Sequence, residues 1–242
     1  MNFTNKTVFI SGANRGIGKA LVQSLLQRDV RRVYAASRNL DNLPNFADER
    51  VVHLPLDITN MDQVLAAARS AQDTDILINN AGAATYTSLY EGNLDGVKHD
   101  MNTNLYGTLN MMRSFVDVLE TKSNPAIVNI VSIAAFVNFP FLGGYSASKA
   151  ALFSASQGAR LELAAKGIAV HTVNPGPIDT DMTKNVEMEK TSPKDVATTI
   201  LNALEQNEAD IAPDPTGRAM FDMWRNDYRD LEQSVANMIY NS

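Results

Sequence analysis

The sequence contains no cysteine among its 242 residues. This absence excludes disulfide bonds, thiolate metal ligands and cysteine nucleophiles. Histidine is also scarce, since only His53, His99 and His171 occur, and their spacing does not resemble a set of metal ligands. We therefore predict no metal site and expect each histidine to be an ordinary surface or core residue.

Positive charge is sparse as well. The chain has 21 Lys and Arg against 27 Asp and Glu, a formal net charge of −6, and no basic run longer than two residues. Such a chain repels polyanions, so no nucleic-acid partner is expected. No apolar stretch reaches the roughly 18 residues of a bilayer span, and the first residues lack the pattern of a secretion leader. We expect a soluble, cytoplasmic protein without a membrane partner.

Short apolar runs alternate with segments of helical periodicity along most of the chain. Strands are predicted at residues 7–11, 32–36, 51–54, 75–79, 126–131, 168–173 and 209–212. Helices are predicted at residues 16–28, 61–71, 94–120, 145–166, 193–206 and 216–240. This alternation predicts an α/β fold with a doubly wound parallel sheet, the Rossmann fold, in a single domain spanning 1–242. Residues 183–242 are predicted to form its substrate side and an added C-terminal helix.

The most informative local pattern places Tyr145 four residues before Lys149 in a predicted helix. Residues i and i+4 share a helix face, so the ammonium can sit beside the phenol and favour its ionised form. A tyrosine with an ordinary pKa of about 10 would otherwise hold its proton too tightly to exchange it near neutrality. Ser132, at the end of a predicted strand, completes a set suited to reducing a carbonyl. On its own the Tyr145–Lys149 spacing is weak evidence, because an exposed pair on a helix surface is the alternative.

A glycine-rich turn directly after the first predicted strand provides a second, independent indication. Its glycines fall where a strand turns into a helix, so backbone amides can approach a pyrophosphate without intervening side chains. The gap between the first two glycines is wider than in the common dinucleotide fingerprint, and a simple tight turn is the alternative. The predicted cofactor-binding residues of this turn are Gly12, Asn14, Arg15, Gly16, Ile17 and Gly18.

The end of the second predicted strand predicts which dinucleotide binds. An acidic residue there selects NAD by binding the ribose hydroxyls, but this strand ends with Ser37 and Arg38. Both can donate hydrogen bonds to a 2′-phosphate, and Arg15 can approach it from the other side. We therefore predict NADP(H) as the cofactor. Solvated surface charge is the alternative explanation for both arginines.

Taken together, the motifs resemble the short-chain dehydrogenase/reductase family over the whole chain. Residues 11–18 look like the family's Thr-Gly-x-x-x-Gly-x-Gly, with Ser11 in place of Thr. The resemblance implies that Asp57 and Ile58 hold the adenine. It further implies a strand-end motif beside the cofactor, formed by Asn80, Ala81 and Gly82. The four catalytic residues that it implies are Asn104, Ser132, Tyr145 and Lys149. The segment that closes over the nicotinamide contains Pro175, Gly176, Ile178 and Thr180. Singly, such residues are also common as turn formers, caps and polar helix positions.

By resemblance, Tyr145 protonates the carbonyl oxygen, Ser132 orients it, Lys149 binds the nicotinamide ribose, and Asn104 holds a water that returns the proton. Apolar residues flank these positions, and we expect them to favour an uncharged, bulky ketone or aldehyde as the small-molecule substrate. The apolar set is Ala83, Ala84, Ile133, Ala134, Phe136, Phe139, Phe141, Leu142 and Ile178.

Alternatives remain open within the same family and outside it. One is a reductase of 3-oxoacyl thioesters, for which Lys184, Lys190 and Lys194 supply only a thin basic docking patch. Another is a hydroxysteroid or alcohol dehydrogenase, and a remote one is a redox sensor that binds NADPH without catalysis. Many members end in a glycine-rich strand used in tetramers, and this chain departs from that pattern. We therefore expect a homo-oligomer, with a dimer through the two long helices favoured and a tetramer possible.

Overall fold

The computed structural model describes residues 1–185 and 187–240. Positions 186, 241 and 242, which belong to the predicted 183–242 segment, lie outside the described residues. Among the described residues, seven strands form one sheet whose neighbouring strands all run parallel. The strands are β1 Thr7–Ser11, β2 Arg32–Ser37, β3 Val51–Pro55, β4 Ile76–Asn79, β5 Ala126–Ile130, β6 Ala169–Val173 and β7 Asp210–Ile211. The predicted fold class is confirmed.

The order of the strands across the sheet creates a crevice. The order is β3-β2-β1-β4-β5-β6-β7, so the chain moves outward from β1 in one direction and then returns to its other side through β4. The loops that follow β1 and β4 therefore separate, and ligands of open α/β sheets bind in such a crevice at the carboxyl ends of the strands. The central strands are buried at every residue because helices cover both faces of the sheet.

Eight α-helices are present in the described part of the chain. They are α1 Gly16–Leu26, α2 Met61–Ser70, α3 Leu94–Met101, α4 Thr108–Glu120, α5 Gly143–Leu163, α6 Pro193–Glu205, α7 Pro215–Asn226 and α8 Tyr228–Tyr240. One face of the sheet buries apolar side chains against α1 and α6, and the other against α2, α4 and α5. Within the described residues, no helix has the length and apolar content needed to cross a bilayer.

Two of the predicted helices are interrupted in the structure, and the other four differ from it only at their ends. The helix predicted at 94–120 is interrupted by a π-helical segment, Asn102–Gly107, which separates α3 from α4. An apolar pattern averaged over many turns does not register one widened turn, although such turns often mark functional sites. The predicted C-terminal helix is in fact two helices, because Asp227 adopts an extended backbone and its carboxylate accepts the Arg229 N–H as α8 begins.

The two C-terminal helices close a third apolar cluster. Trp224 of α7 stacks on Phe136, with 4.6 Å between ring centroids, and meets Phe153 of α5 edge to face at 5.8 Å. Asp214 anchors this unit, because its buried carboxylate accepts the N–H of Gly217 at the start of α7 and that of Gly176, both at 2.8 Å. The C-terminal segment is therefore packed on the domain and tied to the loop after β6.

Candidate active site

A cavity of about 620 Å³ opens at the carboxyl ends of the strands, where the crevice was expected. It brings together residues from loops that are far apart in sequence. The predicted site residues that line it are Gly12, Asn14, Arg15, Gly16, Ile17, Ser37, Arg38, Asp57, Ile58, Asn80, Ala81, Gly82, Ser132, Tyr145, Lys149, Pro175, Gly176, Ile178 and Thr180. Gly18 and Asn104 do not line the cavity and lie behind its wall.

The glycine turn between β1 and α1 needs its glycines for backbone reasons. Gly12 and Gly16 have φ values of +69° and +52°, in the left-handed region that side chains disfavour. Gly18 instead lacks space, since a Cβ there would lie 2.2 Å from the Gly12 carbonyl oxygen. No side chain caps the start of α1 at Arg15, and its first turn holds no acid. The unpaired N–H groups of this helix end suit a phosphate.

Replacing Gly18 by alanine should therefore destabilise the protein. The new methyl group meets backbone atoms, which cannot move aside cheaply, so the free energy of unfolding should fall by about 1–3 kcal/mol. Gly158 in α5 is the matched control, because a Cβ there has no neighbour within 4 Å. Gly158→Ala should raise stability by up to about 1 kcal/mol. Urea denaturation of the two variants measures the contrast, and equal stabilities would contradict the packing argument.

At the end of β2, the three predicted phosphate-binding side chains differ in availability. The Ser37 hydroxyl donates to the Asn39 carbonyl oxygen at 2.8 Å, so its proton is already used. Arg15 forms an exposed ion pair of 3.0 Å with Asp181 across the cavity mouth. Arg38 is exposed and forms no ion pair with a described residue. Arg38 is therefore the cation free to bind an anion here, whereas the predicted donation by Ser37 requires its local bond to break.

Asp57 follows β3 at the next edge of the cavity. Burial alone would raise the pKa of its carboxyl group, but two hydrogen bonds from Thr59 and the charges of Arg38 and His99 lower it below the ordinary value. The backbone N–H of Asp57 donates to Gln63 at 2.8 Å. Asp57 is thus a fixed carboxylate at this position.

Ser132, Tyr145 and Lys149 lie together in the opposite wall. Ser132 follows β5 and accepts the Ala134 N–H at 3.1 Å, which fixes its side chain at the start of a 3₁₀ turn. Tyr145 and Lys149 lie in the first two turns of α5. The Lys149 ammonium donates to the Ile130 carbonyl oxygen at 2.8 Å and lies 5.6 Å from the Tyr145 ring centroid. The predicted trio therefore converges on one place.

The ionisation of this trio differs from the sequence prediction. Burial raises the pKa of Tyr145, the hydrogen bond with Ser132 lowers it, and the neighbouring Tyr86 and Asp100 raise it, so that the resulting pKa is about 12. Burial also lowers the pKa of Lys149 to about 8, against the opposing charge of Asp100. The expected ionised form of Tyr145 is therefore not favoured, because burial raises the pKa of its hydroxyl more than the hydrogen bond with Ser132 lowers it. Tyr145 is a protonated phenol near neutral pH, which suits a proton donor.

Asn104 lies inside the π-helical segment and is fully buried. Its side chain donates to the Ala83 carbonyl oxygen and to Ser148, and accepts the Ala83 N–H, each at 2.8 Å. The side chain therefore binds the loop after β4 to α5. The role of Asn104 in holding a water stays a prediction, and Asn102 and Thr103 line the cavity beside it.

The substrate end of the cavity is mostly apolar, as expected. Ala83, Ala84, Ile133, Ala134, Phe139, Phe141, Leu142 and Ile178 line it. Phe136 does not, because its ring belongs to the cluster around Trp224. Sequence reasoning missed Tyr86, Met182 and Met188 in the lining. Tyr86 has a φ of +50°, and its hydroxyl donates to the Met182 carbonyl oxygen across the cavity mouth. Its position after the Asn-Asn-Ala-Gly motif was the available signal.

Comparison with known proteins agrees with this geometry. The short chain dehydrogenase family model matches residues 6–191. An uncharacterized oxidoreductase of Staphylococcus aureus is 32% identical over 227 residues, which cover 87% of this chain and 98% of its own. A short chain dehydrogenase from Burkholderia cenocepacia, solved in complex with NADP, is 36% identical with a TM-score of 0.92, covering 97% of this chain and 99% of its own. ElxO with NADP bound is 26% identical with a TM-score of 0.78, over 89% and 100%.

Proposed function

This chain belongs to the short-chain dehydrogenase/reductase family of oxidoreductases, and from that premise we propose that it reduces the carbonyl of an uncharged, bulky ketone or aldehyde with NADPH. The observation that carries the proposal is the convergence of Ser132, Tyr145 and Lys149 on the wall of a cavity that begins at the glycine turn. Bound NADPH would supply the hydride that the carbonyl carbon accepts.

The chain's own residues supply the proton and the orientation. The Tyr145 hydroxyl donates its proton to the carbonyl oxygen as negative charge develops there, and the Ser132 hydroxyl donates a hydrogen bond to the same oxygen. The phenolate that remains carries a negative charge in a buried site. The charge of Lys149 stabilises that phenolate, since opposite charges interact strongly where water is excluded.

The residues around the cavity fit the cofactor. The glycine turn and the uncapped start of α1 would hold the pyrophosphate, Arg38 the 2′-phosphate, and Asp57 with Ile58 the adenine. Asn80, Ala81 and Gly82 would line its course. Pro175, Gly176, Ile178 and Thr180 would enclose the nicotinamide end. Two solved structures that resemble this chain carry NADP, which supports the predicted cofactor.

The substrate class rests on the chemistry of the cavity wall. Apart from Ser132, Tyr145, Lys149 and Tyr86, its substrate end is formed by alanine, phenylalanine, leucine, isoleucine and methionine side chains. A charged substrate would lose its hydration against this apolar wall, whereas an apolar ketone would not. Glu187 and Glu189 interleave with the lysines considered for a carrier-protein docking patch, which weighs against an acyl-carrier substrate.

Measuring NADPH consumption tests this function. We expect turnover with bulky aldehydes and aryl or steroid ketones, weaker turnover with acyl thioesters, and little with sugar phosphates or keto acids. Fastest turnover of a keto acid or sugar phosphate would contradict the uncharged class. Tight NADPH binding without turnover of any carbonyl would favour the sensor alternative.

We also propose that the chain forms a homodimer through the surface of α5 and the π-helical segment before α4. Leu161 of α5 is 80% exposed and Tyr106 is 55% exposed, and large apolar side chains on a surface often mark an interface. Sedimentation equilibrium should show a dimer at micromolar concentration. The variant Leu161→Glu should then shift it towards monomer, and a monomeric native protein would contradict the proposal.

A further inference from the structure

Asp100, the penultimate residue of α3, is an acid that the proposed chemistry does not use. Its side chain is fully buried, with none of its surface exposed. The Oδ2 atom accepts the N–H of Thr85 at 3.3 Å and the hydroxyl of Thr85 at 2.9 Å, and Oδ1 has no hydrogen-bond partner in the described structure. A half-paired carboxylate in the interior requires an explanation, because buried polar groups are normally satisfied.

The surroundings of Asp100 place it against the catalytic wall. Helix α3 packs along α5, and a Cβ on Gly144, the residue before Tyr145, would lie 3.3 Å from Oδ2 of Asp100. One turn further along its helical segment, Asn104 lies beside Lys149: a Cβ on Gly82 would be 3.1 Å from Oδ1 of Asn104 and 3.6 Å from the Lys149 ammonium. Asp100 therefore shares the buried interior with the Tyr145–Lys149 pair.

Few charged groups face this interior. Besides Asp100, the titratable groups that act on the catalytic pair or on Asp100 are His99 on its own helix, Lys149 and Tyr145 on α5, and Tyr86 in the loop after β4. Lys149 is only 4% exposed, and the acceptor it contacts is the neutral Ile130 carbonyl oxygen. A buried ammonium without a negative partner is costly, as is a buried carboxylate without a positive one. Burial raises the pKa of Asp100, whereas the hydrogen bonds from Thr85 and the charges of His99 and Lys149 oppose that rise. Each buried charge therefore offsets part of the cost of the other.

We propose that Asp100 is a positioning residue that keeps Lys149 in its charged form, so that an ammonium rather than an amine faces Tyr145 during proton transfer. Thr85 holds the carboxylate in place and links it to the loop that lines the cavity. The catalytic consequence of this role rests on the proposed reductase chemistry. The effect of the Asp100 charge on the pKa of Lys149 does not depend on that chemistry.

The pKa values of Lys149 and Tyr145 determine how loss of Asp100 should change the pH dependence of the rate. Burial lowers the pKa of Lys149 to about 8, and the negative charge of Asp100 raises it from where burial alone would leave it. Removing that charge leaves the desolvation unopposed, so the pKa of Lys149 must fall. Reduction needs the charged lysine and the protonated Tyr145, whose pKa of about 12 keeps its proton in place. The rate therefore declines as pH rises through the pKa of Lys149, and the decline begins at lower pH without Asp100.

The first test measures the charge of Lys149 without cofactor or substrate. Lys149 lines the cavity, and only its neutral amine reacts with formaldehyde and cyanoborohydride, so its labelling rate against pH, read by peptide mass spectrometry, reports its pKa. In Asp100→Asn the midpoint should fall by about one pH unit, which makes labelling about fivefold faster at pH 7. Thr85→Ser is the matched control, since it alters the same contact, keeps the hydroxyl that Asp100 accepts and leaves the charge. An unmoved midpoint in Asp100→Asn, or an equal shift in Thr85→Ser, would overturn the proposal.

The second test uses the pH profile of kcat/KM for carbonyl reduction by the full-length protein. The alkaline limb should move down by about one unit in Asp100→Asn and stay in place in Thr85→Ser. If the native protein turns over no carbonyl, the proposed function fails, and the labelling result still decides the role of Asp100. If Asp100→Asn does not fold, the double variant Asp100→Asn with Lys149→Met should recover folding, because both buried charges are then absent. A double variant that is no more stable than Asp100→Asn would refute the pairing.

Discussion

Tyr145→Phe should lower kcat for carbonyl reduction by about 10³-fold or more and leave the affinity for NADPH almost unchanged. The substitution removes one hydroxyl and keeps the ring. That hydroxyl is the group with a pKa of about 12 that retains its proton through the neutral range and lies beside Ser132 in the cavity wall. Stopped-flow measurement of NADPH oxidation separates the hydride-transfer step from product release.

Tyr90→Phe is the control for that substitution. Tyr90 is 97% exposed and does not line the cavity, so its loss of a hydroxyl should leave kcat unaltered. NADPH binding to both variants can be followed by nicotinamide fluorescence. Retention of most of the activity in Tyr145→Phe would assign the proton to another donor, and a large loss of NADPH affinity would assign Tyr145 a mainly structural role.

Arg38→Leu should reduce kcat/KM with NADPH by about 10–100-fold and change kcat/KM with NADH little. A hydrogen bond to a charged group contributes about 1.5–3 kcal/mol, and Arg38, at the end of β2, forms no ion pair with a described residue that would occupy its donors. The expected result is therefore a loss of preference for the 2′-phosphate, measured as the ratio of the two kcat/KM values at constant ionic strength.

Arg15→Leu is the matched comparison for cofactor preference. Arg15 is already paired with Asp181 at the exposed cavity mouth, and such a pair is worth little. Its removal should change the NADPH to NADH ratio by less than about fivefold. A larger effect from Arg15 than from Arg38 would mean that cofactor binding opens the Arg15–Asp181 pair and uses the freed guanidinium.

Much of the fold was predictable because each strand is a short apolar run. The predicted strand at 7–11 matches β1, and the other strands differ at their ends by one residue or by one at each end. Burial on both faces of a parallel sheet requires such runs, so their positions are visible in the sequence. The π-helical segment and the break at Asp227 were not visible, because each changes the path of a helix without disrupting its average apolar period.

The candidate site likewise has some features that are visible in the sequence and others that are not. The glycine turn, the Tyr145–Lys149 spacing and the residues after each strand are local patterns, and the carboxyl ends of parallel strands necessarily meet at one edge of the sheet. These features were determined by the sequence alone. Which predicted apolar side chains reach the cavity was not, since Phe136 turns into the cluster around Trp224 while Phe139 lines the wall.

Ionisation and charge pairing depended wholly on the tertiary structure. In the sequence, Lys149 stands four residues after Tyr145, and this spacing predicts a lowered tyrosine pKa. In the folded protein, burial raises that pKa. Packing also brings Asp100, forty-five residues away from Tyr145 along the chain, into the same interior. Local spacing determines which side chains share a helix face. Only packing decides how much water they lose and which distant charges they meet, and these two quantities set the protonation states on which the chemistry depends.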